Sequence, residues 1–172
     1  MLTQRMQDAI NEQINNEFYS SYLYLAMSAY CELEQFSGCA QWMKLQAEEE
    51  HIHAMRLFDY LLARDERVVL GAISAPAINY ESIAAAFEIA LSHEQEVTRR
   101  IDGLYELAFK EKAFSALVEL EWFIKEQVEE EKQARDIVHK FRLAKDDPGS
   151  LLDLDRELGQ RPAVAPDGGP QN

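Results

Sequence analysis

Glycine and proline are scarce in this chain. There are seven and five among 172 residues, and the last stretch alone holds Pro162, Pro166, Gly168, Gly169 and Pro170. A body with so few breakers suits long helices. Cysteine is scarcer still: Cys31 and Cys39 form no C-x-x-C pair of the kind that holds a metal. Basic residues are outnumbered 17 to 31 by acidic ones, giving a formal net charge of −14. That balance counts against nucleic acid or an anionic membrane as partner and favours attraction of cations. No apolar run approaches the ~20 residues a membrane span needs. No basic segment followed by an apolar one opens the chain, so no export signal is expected. A cytoplasmic protein with both thiols reduced is the expectation. What the chain does have is hydrophobicity: 47% of its residues are apolar, which excludes a wholly disordered polymer. Its length suffices for one domain with a substantial core.

The apolar residues recur at helical spacing. Ile83, Phe87, Ala90, Glu94, Val97, Ile101, Leu104 and Ala108 step alternately by four and three, the mark of one helix face. Leu120, Phe123, Gln127, Glu130, Ala134, Ile137 and Phe141 form a second stripe, and Ala40, Met43, Ala47, Glu50, Ala54, Leu57 and Leu61 a third. A less regular one runs Ile10, Ile14, Glu17, Ser21, Tyr24. The spacing predicts helices over about 3–34, 38–64, 82–109 and 113–144. Ser37 can cap the second, and Asn79 or Ser82 the third. A short turn at 36–38 joins the first two as antiparallel neighbours, as Lys110-Glu111-Lys112 joins the last two. Residues 65–79 carry no helical pattern and are too long for a tight connection, which suits a crossover running the length of a bundle. Asp146-Asp147-Pro148-Gly149 stops the fourth helix, and Pro148 or Gly149 can open a fifth over 150–158. The predicted class is therefore all-α, a four-helix bundle with a short fifth helix. Residues 1–158 form its domain, and 159–172 are expected to be a mobile tail.

Each stripe has a carboxylate at its centre. Mid-helix residues share one layer whichever way a helix points, so Glu17, Glu50, Glu94 and Glu130 should meet at one level inside the bundle. No lysine or arginine lies in these stripes, and an unpaired buried ion costs several kcal/mol. Protonated carboxyls would need hydrogen-bond partners instead. A pair of metal ions resolves the conflict more economically. His53 is three residues after Glu50 on the same helix face and adds an imidazole. Gln127 can give a neutral oxygen or orient a ligand. An oxygen-rich set with one histidine favours iron or manganese over structural zinc. Tyr24, two turns past Glu17, can place its hydroxyl on a ligating carboxylate. His51 and His93 are turned ~100° from their ligand neighbours and read as surface or supporting groups; His139 reads as unrelated. Glu49, Glu126 and Glu129 lie one helical step off the centre, where they are either solvated surface or an adjacent, weaker cation site.

These residues resemble the bacterial non-haem ferritins, over about residues 1–158. The resemblance rests on Asn16-Glu17-x-x-Ser20-Ser21-x-x-Tyr24, Glu49-Glu50-x-x-His53, Arg56 to Leu61, Glu94, and Glu121-Trp122-x-x-x-Glu126-Gln127-x-Glu129-Glu130-Glu131. It implies a ferritin-like bundle with a long crossover between the second and third helices. It implies an iron-storage protein that is also a ferroxidase, oxidising Fe(II) with O2 or peroxide and storing ferric mineral. One iron would be held by Glu17, Glu50 and His53, the other by Glu50, Glu94 and Glu130, with Gln127 beside the second. Glu49, Glu126 and Glu129 match that family's third iron site. Tyr24 matches a tyrosine thought to supply an electron. The resemblance also implies a homo-oligomeric shell of twenty-four chains. Related families fit less well. Where bacterioferritins repeat Glu-x-x-His this chain has Gln127-x-x-Glu130, and their haem-binding methionine falls at Ile52, so no haem is expected. Two rival readings stand: a di-iron or di-manganese oxidase that stores nothing, and a structural bundle with a protonated acidic core.

Overall fold

The computed structural model describes residues 1–164. Within them the chain forms five helices: α1 (Gln4–Leu33), α2 (Ser37–Ala63), α3 (Ile83–Lys110), α4 (Phe114–Ala144) and α5 (Pro148–Leu158). At ~1.5 Å per residue the four long helices span on the order of 40–45 Å. None is long and apolar enough to cross a membrane.

The starts follow side-chain chemistry. Thr3 accepts from the Met6 N–H, Ser82 from that of Ala85, and Asp147 from that of Ser150, satisfying amides that the first turn leaves unpaired. Pro148 opens α5, where its missing N–H costs nothing. The expected cap at Ser37 is corrected. Ser37 is already helical, Phe36 stands at the cap with no side-chain bond, and the Cys39 N–H is taken by Asp155 Oδ1 of α5 at 2.8 Å. The start of α2 is thus satisfied from across the fold. With so little glycine, the chain uses other residues past its helix ends: Gln35, Asp65, Lys112 and Lys145 all adopt left-handed φ of 51–65°.

α1 pairs with α2, and α3 with α4. The crossover climbs along α1. Asn11 donates to the Arg67 carbonyl and accepts from the Val69 N–H. Asn15 does the same with Ala72 and Gly71, and the Tyr30 hydroxyl reaches the Tyr80 carbonyl. Two asparagine side chains thereby satisfy a stretch of backbone that has no ladder of its own.

All residues of the three clearer stripes are buried. In the less regular stripe, on α1, Ile10, Ile14, Glu17 and Tyr24 are buried, while Ser21 is half-buried and donates to the Ala47 carbonyl. The apolar core falls into two clusters, one built around Met6, Ile14, Leu57, Ile101 and Phe123, the other around Met27, Trp42, Phe87 and Phe141. Glu17, Glu50, Glu94 and Glu130 fall between them along every helix. The common layer read from the spacing is present as a polar band across an otherwise apolar interior.

Candidate metal centre

In that band Glu17 comes from α1, Glu50 and His53 from α2, Glu94 from α3, and Gln127 and Glu130 from α4, all buried. Their ligand atoms gather in three groups: Glu17, Glu50 and His53; Glu50, Glu94 and Glu130; and His53, Glu126 and Glu130, the atoms of each group lying within 4.8 Å of one another. Glu50 belongs to the first two, so one carboxylate stands between two candidate ion positions. His53 Nδ1 is 3.5 Å from Glu50 and 3.9 Å from Glu130.

Amides hold one oxygen of three of these carboxylates. Gln13 donates to Glu17 Oε1 at 2.8 Å, and Gln46 donates to both Glu50 Oε1 at 3.1 Å and Glu130 Oε1 at 2.9 Å. The Tyr24 hydroxyl donates to Glu94 Oε1, and the Gln127 amide lies 3.4 Å from Glu94 Oε2. The second oxygens of Glu17, Glu50 and Glu130 are buried with no hydrogen-bond partner. Leaving such acceptors unsatisfied is expensive, and cations seated in the two groups that share Glu50 would satisfy all three.

Gln13 and Gln46, which orient the candidate ligands, are absent from the expectations drawn from the sequence. The signal was present, because each lies four residues before a ligand, Glu17 and Glu50, on the same face. Tyr24 meets Glu94 as a partner on another helix. Its ring and that of His93 meet edge to face, and His93 bonds Ser20 Oγ at 2.8 Å. Burial holds His93 down to about 4, so it is a neutral supporting group. Trp122 packs between His53 and the Arg56 guanidinium, and Arg56 pairs with Glu119 at 2.5 Å. This stack fixes the imidazole's tilt. His51 and His139 are exposed. Of the outer acidic residues, Glu126 is buried and groups with His53 and Glu130, Glu49 is half-buried against Arg161, and Glu129 is exposed. The expected tail begins as an ordered contact at Arg161; residues 165–172 lie outside the described residues.

Burial pushes Glu17, Glu50, Glu94 and Glu130 above the usual carboxylate value of 4.5, Glu94 to about 7. Neighbouring carboxylates add to the rise at Glu50 and Glu130. Burial lowers His53, but the surrounding carboxylates outweigh it and the net direction is up. All five groups bind protons more tightly folded than unfolded. Stability of the metal-free protein is therefore expected to fall as pH rises from about 4.5 through about 7. His93 acts in the opposite sense, one group against five. A urea midpoint measured across that window should decline, and a saturating divalent ion should flatten the decline by replacing the protons. A midpoint that climbs through the window in metal-free protein would contradict this reading.

A family model described as Ferritin, ferritin-like domain, matches residues 7–144. The bacterial non-haem ferritin of Staphylococcus aureus strain USA300 is 37% identical over 161 residues, covering 94% of this chain and 97% of the relative. That of Staphylococcus saprophyticus is 38% identical over 161 residues, with coverages of 94% and 96%. Among solved structures, an open-pore ferritin from the hyperthermophilic archaeon Archaeoglobus fulgidus superposes with a TM-score of 0.93 at 44% identity, covering 94% of this chain and all of that one. An engineered closed form of the same ferritin gives 0.94 at 44% identity, over 95% of this chain and all of that one.

Proposed function

This chain belongs to the ferritin family, and from that premise we propose that it stores iron and is itself the ferroxidase that loads the store. The observation that carries the proposal is the set of partnerless buried oxygens on Glu17, Glu50 and Glu130, contributed by three helices to one layer. Fe(II) is the substrate. One ion would sit with Glu17, Glu50 and His53, the other with Glu50, Glu94 and Glu130. An oxygen-rich environment with one imidazole suits Fe(II) and favours Fe(III) more, because carboxylate charge stabilises the higher oxidation state. Each of two Fe(II) gives up one electron, and O2 with two protons leaves as hydrogen peroxide. Where peroxide is the oxidant, two electrons and two protons convert it to two waters.

The chain's own residues set up this chemistry. Gln13 and Gln46 hold one oxygen of their carboxylates and leave the other for the ion. Tyr24 stays a neutral phenol, because burial and the charge of Glu94 push its hydroxyl well above its ordinary range. An electron drawn from Tyr24 could be matched by its proton passing to Glu94, with which it is already hydrogen-bonded. Gln127 steadies Glu94 from the other side. Glu49, Glu126 and Glu129 are the acidic groups between this centre and the flank of α2 and α4. Exposed apolar side chains such as Tyr22, Leu25, Ile78 and Val118 are suited to burial between copies of the chain in a closed homo-oligomer of twenty-four. Cytoplasmic placement and the absence of haem belong to the same reading.

Aerobic Fe(II) titration of metal-free protein tests it. Absorbance should rise in a fast phase that saturates at two irons per chain, followed by slow accumulation far beyond that. Saturation at two with nothing further would mean an oxidase without storage. The lack of any fast phase would remove the ferroxidase reading.

A further inference from the structure

Arg161 stands just beyond α5, and its side chain is only 12% exposed, an unusual depth for a guanidinium. It lies over the Trp42 ring with its central carbon 4.6 Å from the centroid. It donates to the Trp42 carbonyl at 3.3 Å and to Gln46 Oε1 at 3.0 Å, and it pairs with Glu49, itself 15% exposed. Because Arg161 holds the carbonyl end of Gln46, the amide nitrogen faces Glu50 and Glu130. One side chain therefore separates this guanidinium from the metal centre.

We propose that Arg161 is a built-in cation that occupies Glu49 and closes the outer acidic position to a third metal ion, so that the intact chain binds two. The proposal rests on the di-metal reading above. Three observations support it. The guanidinium is always charged, so it neutralises Glu49 at every working pH. It is held by a cation–π contact, two hydrogen bonds and an ion pair at once, and it is tethered, so an incoming ion competes with a high local concentration of it. The remaining outer carboxylates do not converge on Glu49: Glu126 groups with His53 and Glu130, which the two inner groups already use, and Glu129 faces solvent.

Equilibrium dialysis of metal-free protein against Co(II), which air does not oxidise in this setting, reads the difference directly. Wild type and Glu49→Gln should bind equal numbers of ions. Arg161→Ala should bind one more per chain than wild type, and Arg161→Ala combined with Glu49→Gln should lose that gain. The proposal is overturned if wild type exceeds Glu49→Gln by one ion, a comparison that stands even where Arg161→Ala does not assemble. It is equally overturned if a folded Arg161→Ala shows no gain. Glu50→Ala in the same dialysis addresses the premise separately: an undiminished count there would sink the di-metal reading.

Discussion

Glu50→Ala should abolish the fast phase of Fe(II) oxidation, with a loss of more than ~100-fold. Changing a residue that merely supports a ligand already costs ~10–100-fold in metal affinity or activity. Glu50 does more, since it belongs to both ligand groups that share the layer. Its loss deprives each ion of a ligand and removes the one carboxylate common to them. A shape-conserving substitution at the same position should act in the opposite direction on the empty protein. Glu50 is buried, its second oxygen has no hydrogen-bond partner, and burial together with Glu94 and Glu17 pushes it well above the usual carboxylate range. Glu50→Gln, which keeps the shape and can still bond Gln46, is therefore expected to be more stable than wild type in metal-free form at neutral pH, and to be little stabilised by added ions. Stopped-flow absorbance reads the first effect and urea unfolding with and without a divalent ion reads the second. An unchanged fast phase would remove Glu50 from the chemistry. A metal-free Glu50→Gln less stable than wild type would mean that the carboxylate contributes to the fold rather than to a site.

Gly38→Ala should be the most damaging small substitution outside the polar band. A methyl group there would lie 1.8 Å from the Asp155 carbonyl oxygen and 2.7 Å from its carbon, so backbone rather than a side-chain tip must yield. Overpacking typically costs ~1–3 kcal/mol, and contact with backbone places this case at the upper end. The element that gives way is α5, whose Leu154 and Leu158 pack in the cluster with Cys31, Cys39 and Trp42. Both thiols are shielded in the wild type, with burial pushing Cys31 up to about 12. Their reaction with a thiol reagent should accelerate in the variant, since reactivity follows exposure and thiolate fraction. Unchanged thiol kinetics and an unchanged melting temperature would show that α5 can shift without undocking.

The periodicity carried most of the architecture because a helix that buries one face must repeat every three to four residues. It carried the metal layer for a related reason: a carboxylate inside an apolar stripe stands out against its neighbours. Gln13, Gln46 and Arg161 left weaker traces. Glutamine is common on helix surfaces, so its burial is visible only once the partner carboxylate is placed. Arg161 comes two residues after Gly159 and directly before Pro162, a setting that reads as the start of a tail. Its anchor, Trp42, is remote in the chain and unrelated by any period. The Ser37 expectation failed for the same kind of reason, because the donor site at that helix start is answered by Asp155 from another element.

The division of the ligands between the two helix pairs has a mechanical meaning. Glu17, Glu50 and His53 belong to the hairpin of α1 and α2, and Glu94, Gln127 and Glu130 to that of α3 and α4. The group of Glu17, Glu50 and His53 lies wholly on the first hairpin, whereas Glu50, Glu94 and Glu130 span both, so an ion held by that second group would act as a latch between the halves. Without the ion, burial pushes the same carboxyls toward holding protons, and the latch is undone. Parting of the hairpins wide enough to release that ion would also take apart the ligands that hold it.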